Sequence, residues 1–406
     1  MRILHTSDWH LGQKLLYHDR RIEHQLALDW LINTIEAEQV EILLVSGDIF
    51  DTGNPPNYAR RMYYQFLRRV TNTVCRHVVI TAGNHDSPAM LGAPQDLLEI
   101  LNVRVVSRAN TENVNEELIP LKNKVGELEA VIAAVPFLRD QDLRKSVSAE
   151  TAMERKQAIR KAIKLHFEAV GEAAQIYVSK NVPIIAMGHL YVKEAVTNVR
   201  HDNIYIGDKA NIEAAGFPQI FDYVALGHIH RPQQMKGTAH VQYSGSIIPL
   251  SFSETIDEKV VKILDFEGRN FKLQDVKIPV FRRLKTIEKD NLEALKSRLV
   301  QLAEDYKDGL SAWVEIILNV EKSIPDLDVQ LTDLTKDMNL EILKVRTNYP
   351  TQNLANSSAQ LNLQDLEPIQ VFEKKLDQTQ VSPTERQELL DTFKELQNWI
   401  TDTDKD

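Results

Sequence analysis

The sequence of 406 residues predicts an α/β protein with a large sheet core, and three observations carry that expectation. Up to about Leu273, short apolar runs alternate with amphipathic helical stretches. Polar residues gather just past the ends of the apolar runs, where the loops of open α/β sheets collect their sites. From about Pro279 the alternation restarts on a smaller scale, as a β-α-β-α-β unit, before a helical tail.

Taken in order, the strands expected in the first part are RILHTS (2–7), EILLVSGD (41–48), HVVITAGN (77–84), EAVIAAVPF (129–137), VPIIAMGH (182–189), YVALGH (223–228) and VQYSGS (241–246). Helical spacing of apolar residues marks 21–39 and 59–74 between them. In the second part, 281–288, 312–320 and 340–348 read as strands, with 291–306 and 326–337 as helices. The stretch NYPTQNLANSSAQLN (348–362) is polar and rich in Pro, Ser and Asn, and reads as a linker. Beyond it, 365–376 and 382–400 look helical, with Ser382 as N-cap and Pro383 at the first helical position. The organisation expected is therefore 1–275, 279–347 and 348–406.

Composition narrows the class. Hydrophobic content of 43% and charged content of 26% are those of a soluble globular protein. Asp8 and His10 interrupt the N-terminal apolar run, which argues against a signal peptide. No apolar run reaches the ~18 residues of a membrane helix. The single cysteine, Cys75, excludes internal disulfides and fits a reducing, cytoplasmic setting. Its apolar surroundings, VCRHVVIT, point to burial rather than reactivity. The net charge of −10 argues against wrapping nucleic acid by bulk charge, although bound cations would invert the field locally. From Arg346 to the end there are six basic and eleven acidic side chains, so the tail suits a protein partner better than a phosphate backbone.

Five of the apolar runs end in potential metal ligands. HTSDWHLG carries Asp8 and His10, two apart and so on one face of an extended chain. VSGDIFD carries Asp48, ITAGNHD carries Asn84 and His85, IAMGH carries His189, and YVALGHIH carries His228 and His230. In the last four a Gly precedes the ligand, which lets the backbone turn sharply and come close to an ion. Singly, each has a plain alternative: a loop or core histidine, a turn Asp, a capping Asn. Together they make a set of hard oxygen and borderline nitrogen donors without thiolate, suited to Mn, Fe or Zn. Seven ligands exceed one ion's needs, so two ions sharing a carboxylate is the economical arrangement.

The words DWH, GDIFD, GNHD, GH and GHIH resemble those of the calcineurin-like metallophosphoesterase superfamily. SDWHLG, GDIFDTGNPP, GNHDSP, ALGHIHRPQ and YSGSIIPLSF resemble, within it, the SbcD family of nuclease subunits, and the likeness covers nearly the whole chain. The resemblance implies a sandwich of two sheets flanked by helices, a small α/β capping domain and a helical C-terminal tail. It implies that Asp8, His10, Asp48 and His230 hold one metal ion and that Asp48, Asn84, His189 and His228 hold the other, most plainly Mn. His85 would handle the proton of the leaving oxygen, and the carboxylate of Asp51 would orient it.

The activity implied is that of a DNA nuclease, a double-strand exonuclease and single-strand endonuclease working with an SbcC-type ATPase in repair, recombination and hairpin cleavage. Two other readings are a phosphomonoesterase or cyclic-nucleotide phosphodiesterase on the same ions, and a non-catalytic scaffold for the ATPase. Family likeness also implies a homodimer, through Met62, Tyr63, Phe66, Leu67 and Val70 together with Met90, Leu91, Leu97, Leu98 and Leu101. Periodicity alone would assign both stripes to the core. In the tail, Val371, Phe372 and Leu376, then Leu389, Leu390, Phe393, Leu396, Trp399 and Ile400, form apolar stripes expected to dock the ATPase.

Overall fold

A computed structural model of the chain describes residues 1–143, 151–193, 195–196, 212–320, 324–348, 369, 372, 376 and 386–393. The chain divides into two compact units, Met1–Asn348 and Tyr349–Asp406. The first unit opens with β1 (Arg2–Thr6), a small hairpin of β2 (Lys14–Leu15) and β3 (His18–Asp19), α1 (Arg21–Ala37), β4 (Ile42–Ser46), α2 (Asn57–Val70) and β5 (His77–Thr81). It continues through α3 (Pro88–Gly92), α4 (Gln95–Ile100), β6 (Val103–Val106), β7 (Leu118–Lys122), β8 (Leu128–Ala134), α5 (Asp140–Leu143) and α6 (Ala152–Ala173). Then come β9 (Ile184–His189), β10 (Tyr223–Gly227), β11 (Gln233–Gln234), β12 (Val241–Tyr243), β13 (Val260–Glu267) and β14 (Asn270–Lys277). The last stretch is β15 (Leu284–Lys289), α7 (Leu292–Asp305), β16 (Ala312–Asn319), α8 (Leu327–Thr335) and β17 (Leu340–Asn348).

Two six-stranded sheets form a sandwich. One runs β14-β13-β1-β4-β5-β6 and the other β11-β12-β10-β9-β8-β7. Strand alternation decides what lies between them: Ile3, Ile42, Leu44 and Val79 of the first sheet meet Ile132, Ile185, Met187 and Ala225 of the second. The alternate residues Leu4, Leu43 and Val45 face outward into a core covered by α1 and α2. Ile184, Ala186 and Val224 do the same toward Phe167 and Val170 of α6. Strands buried on both faces read as continuous apolar runs, which is why the sequence marks them so plainly. Strands β1, β4, β5 and β6 are mutually parallel, as are β8, β9, β10 and β12, so their C-terminal ends gather the ligand-bearing loops.

The second β-α-β-α-β stretch forms its own parallel sheet, β15-β16-β17, with a separate core of Leu295, Leu299, Val314, Ile316 and Leu331. A charged joint links it to the sandwich. Glu23 Oε1 accepts from Arg20 Nε and from Arg282 Nε, both at 2.9 Å, and the Arg282 guanidinium lies 4.2 Å from the Trp313 ring centre. Arg20, Glu23 and Arg282 are all buried. Leu15 of the hairpin packs beside them with Leu284 and Trp313.

The residues expected at interfaces differ in burial. Met62, Tyr63, Phe66, Leu67 and Val70 do not offer a surface; all five lie in the core under α1 and the first sheet. A helix of that length covering a sheet needs its whole apolar face for the sheet. Leu91 and Leu98 are likewise buried, whereas Leu97, Ile100 and Leu101 are 65%, 78% and 43% exposed. In the second unit Phe393 is not free either: its ring stacks on Phe372 at 4.3 Å, and Leu376 is buried. Leu389 is exposed and Leu390 half-buried, while Val371, Leu396, Trp399 and Ile400 lie outside the described residues.

Candidate metal centre

Every ligand candidate sits at the C-terminal end of a parallel strand. Asp8 and His10 follow β1, Asp48 follows β4, Asn84 and His85 follow β5, His189 ends β9, and His228 and His230 follow β10. The backbone bends hard to present them: Asp8, His10, Asp48 and His228 all have positive φ, at 52°, 46°, 49° and 95°. Non-glycine residues in that region carry strain that the surroundings must sustain, and such strain gathers at functional sites. Glycines before the ligands allow the close approach that the sequence predicts. A Cβ on Gly83 would fall 2.1 Å from Asp48 Oδ1, and one on Gly47 would fall 2.1 Å from His189 Nδ1.

The seven candidates converge. Asp48 Oδ2 lies 3.5 Å from His10 Nε2 on one side and 3.1 Å from His189 Nε2 on the other. Asn84 Oδ1 lies 3.1 Å from His189 Nε2 and 3.0 Å from His228 Nδ1. Asp8, His10 and His230 bring ligand atoms within 4.8 Å of one another, as do Asp8, Asp48 and His189. Asp8 also accepts the His228 backbone N–H at 2.9 Å, which fixes the loop after β10.

The outer nitrogens of the rings reveal what the inner ones are for. His189 Nδ1 donates to the Ser46 carbonyl at 2.9 Å. His230 Nδ1 faces Glu254 Oε1 at 3.0 Å, and His10 Nδ1 faces Asp51 Oδ1 at 3.1 Å. An imidazole that donates through Nδ1 turns an Nε2 lone pair inward, which is how metal-binding histidines are held. His10 Nε2 is buried with no hydrogen-bond partner in the structure. An inward lone pair facing a carboxylate oxygen in a dry site calls for a cation between them. The donor set of carboxylates, imidazoles and one amide oxygen therefore fits divalent ions.

Electrostatics say the same. Burial opposes charge on His189, yet Asp48 lifts it to about 9, so in the protein alone a proton takes the place of the cation. Burial likewise opposes charge on His230, and Glu254 lifts it to about 9. His228, buried beside His189, is pushed down to about 3 and stays neutral. Burial works against ionised Asp48 too, but His189, His10 and His85 hold it well below the usual carboxylate range.

His85 sits at the edge of the cluster, its ring centre 4.9 Å from that of His10. Its backbone N–H donates to Asp48 Oδ1 at 2.9 Å, and its Nδ1 donates to the backbone carbonyl of Asp51 at 2.7 Å. The Asp51 carboxylate, expected to orient His85, groups with the His10 and His85 rings, their ligand atoms within 4.8 Å of one another. The GDIFD loop turns the side chain toward His10, and its main chain meets the His85 Nδ1.

Three supporting residues escape a reading of the sequence. Asp86 accepts from the backbone N–H groups of Ile49, Phe50 and Gly83, tying the loop after β4 to the loop after β5. Glu254 anchors His230 and is itself held by Lys259 Nζ at 2.7 Å. Ser46 supplies the carbonyl for His189. Asp86 could be suspected from its place directly after His85, whereas nothing in SFSETIDEK singles out Glu254.

The chain matches known proteins along most of its length. Residues 1–232 match the calcineurin-like phosphoesterase family, and residues 280–380 match the type 5 capsule protein repressor C-terminal domain. It is 35% identical over 396 residues to the SbcD subunit of the SbcCD nuclease of Escherichia coli strain K12, covering 97% of each chain. It is 38% identical over 276 residues to the SbcD subunit from Rhodobacter capsulatus, covering 66% of this chain and 67% of the relative. With the SbcD subunit from Bacillus subtilis, identity is 34% over 270 residues, 65% of this chain and 66% of the relative.

Proposed function

The chain belongs to the calcineurin-like phosphoesterase family and, within it, to the SbcD nuclease subunits, and from that premise we propose that it is a Mn-dependent DNA nuclease acting with an SbcC-type ATPase. The single observation that supports the reading most is Asp48 Oδ2 lying between His10 and His189. A carboxylate so placed suits two ions that share it: Asp8, His10, Asp48 and His230 would hold one, and Asp48, Asn84, His189 and His228 the other. When bound, such ions polarise a phosphodiester and ready a water for in-line attack. The remaining chemistry belongs to the chain. His85, aligned by the Asp51 carbonyl on Nδ1, directs Nε2 away from that carbonyl and, when protonated, can give its proton to the departing sugar oxygen. The hydrogen bond from its backbone to Asp48 holds it in register with the ions. No side chain need act as nucleophile.

The small sheet β15-β16-β17, fastened through Arg282, would cap the site and restrict how DNA enters. None of the described helices is long and apolar enough to cross a membrane, and a cytoplasmic DNA-processing enzyme fits that. DNA is the substrate proposed, with repair, recombination and hairpin removal as its setting. A homodimer would use the exposed residues Leu97, Ile100 and Leu101 rather than the buried stripe of α2. The tail would carry the ATPase contact.

The test pairs two forms of DNA and one small diester with two proteins. The intact chain with Mn should cut linear and single-stranded DNA as well as bis-p-nitrophenyl phosphate, and a chelator should abolish both activities. His85→Ala should keep its metal, measured alongside rate, and lose ~10²–10⁴-fold in cleavage. Activity confined to phosphomonoesters would favour the phosphatase reading. Absence of any hydrolysis by the metal-loaded chain would leave the scaffold reading.

A further inference from the structure

The charges that join the small sheet to the sandwich do not stop at the joint. Arg282 is fixed to the small sheet: its Nη1 donates to the Ser311 carbonyl at 2.7 Å and to the Ser311 hydroxyl at 2.8 Å, and its guanidinium lies over Trp313. Its Nε donates to Glu23 Oε1, the same oxygen that takes Arg20 Nε. Glu23 Oε2 is buried and has no hydrogen-bond partner among the described residues. Two arginines therefore share one carboxylate oxygen.

Arg20 has a second grip. Its Nη1 donates to the Pro249 carbonyl at 2.8 Å. The N–H on the far side of that peptide bond, that of Leu250, donates to Glu254 Oε2 at 3.1 Å. A peptide unit is planar, so turning its oxygen turns its N–H. Glu254 Oε1 in turn faces His230 Nδ1. An unbroken path thus runs from Ser311 through Arg282, Glu23, Arg20, one peptide plane and Glu254 to a candidate metal ligand. Gln13 runs beside it, its N–H on the His10 carbonyl and its side chain on the Leu250 carbonyl. A cavity of about 300 Å³, lined by Arg20, Glu23, Pro249, Lys259, Arg282 and Leu284, follows the path. Such space beside a polar joint leaves the small sheet room to shift.

We propose that Arg20 is a positioning residue that couples the seating of the small sheet to the ion held at His230. With Arg282 on Glu23, Arg20 keeps the Pro249–Leu250 peptide turned so that its N–H steadies Glu254, and Glu254 steadies His230. When Arg282 withdraws, both oxygens of Glu23 draw on Arg20, the peptide loosens and the ion is held less well. Coupling of this kind is reciprocal, so the ion also steadies the sheet. This inference rests on the metal centre proposed for the site.

The test titrates the full chain with Mn by calorimetry in wild type, Arg282→Gln, Arg20→Lys and Leu299→Ala. Arg282→Gln and Arg20→Lys should each weaken one of the two Mn ions about fivefold and leave the other unchanged. The direction is diagnostic, because removing the Arg282 cation would by charge alone tighten Mn binding. Arg20→Lys keeps the charge but lacks the fork that spans Glu23 and Pro249. Leu299→Ala, in the separate core of the small sheet, should lower the melting temperature and leave both affinities unchanged. In wild type, Mn should slow amide hydrogen exchange in Leu284–Lys289, and do so less in Arg20→Lys. Should Arg20→Lys not fold, Arg282→Gln alone decides. Unchanged or tighter Mn binding in the arginine variants overturns the proposal, as does an equal weakening in Leu299→Ala or exchange indifferent to Mn. A folded wild-type chain that binds no Mn overturns the metal centre and this inference together.

Discussion

At the scale of single residues, the site depends on groups that never touch a substrate. His230 points its outer nitrogen at Glu254, His189 at the Ser46 carbonyl and His10 at Asp51, and these contacts decide which nitrogen faces inward. Glu254→Gln keeps the shape but replaces the anionic acceptor of His230, so the affinity for divalent ions should fall by ~10–100-fold. A calorimetric titration with Mn, on protein checked for unchanged melting, measures it; unaltered affinity would mean that Glu254 only packs. The candidate ligands are legible in the sequence because each follows or closes an apolar strand, four of them across a Gly. Glu254 is not, because its meeting with His230 depends on a loop folding back over 24 residues. Which group of Asp51 meets the His85 Nδ1 is illegible for a related reason. A motif fixes which residue is present, and the loop's dihedral angles decide whether side chain or main chain does the orienting.

At the scale of elements, strands that lie inside a sandwich announce themselves, and surfaces do not. The apolar runs at 41–48, 77–84, 182–189 and 223–228 are legible because both faces of β4, β5, β9 and β10 are buried. The stripe on α2 is equally visible, yet periodicity gives a face without saying what covers it, and the first sheet covers this one. The β2–β3 hairpin leaves no trace, since KLLYHD contains none of the residues that such turns favour at their tip. What remains exposed on α4 and its end is Leu97, Ile100 and Leu101. If these pair two copies, the intact chain should sediment as a dimer at micromolar concentration. Leu97→Glu combined with Ile100→Glu should then sediment as a folded monomer with its circular dichroism unchanged. A monomeric wild type would remove the dimer.

At the scale of the whole molecule, the candidate site and the tail proposed to recruit the ATPase fall in different units. Everything that converges on Asp48 lies within Met1–Asn348, while Phe372 and Phe393 stack on each other within a second compact unit. Removing the residues after Asn348 should leave Mn binding and partner-free cleavage intact and abolish association with the ATPase, which co-purification and a mobility assay would measure. Retained association would move that contact into the first unit. The central claim is that two ions share Asp48, and electron paramagnetic resonance during a Mn titration tests it most directly. The account predicts two Mn per chain and a spectrum of an exchange-coupled pair, lost in Asp48→Asn together with DNA cleavage. Saturation at one ion, or two ions with uncoupled spectra and full activity in Asp48→Asn, would contradict it.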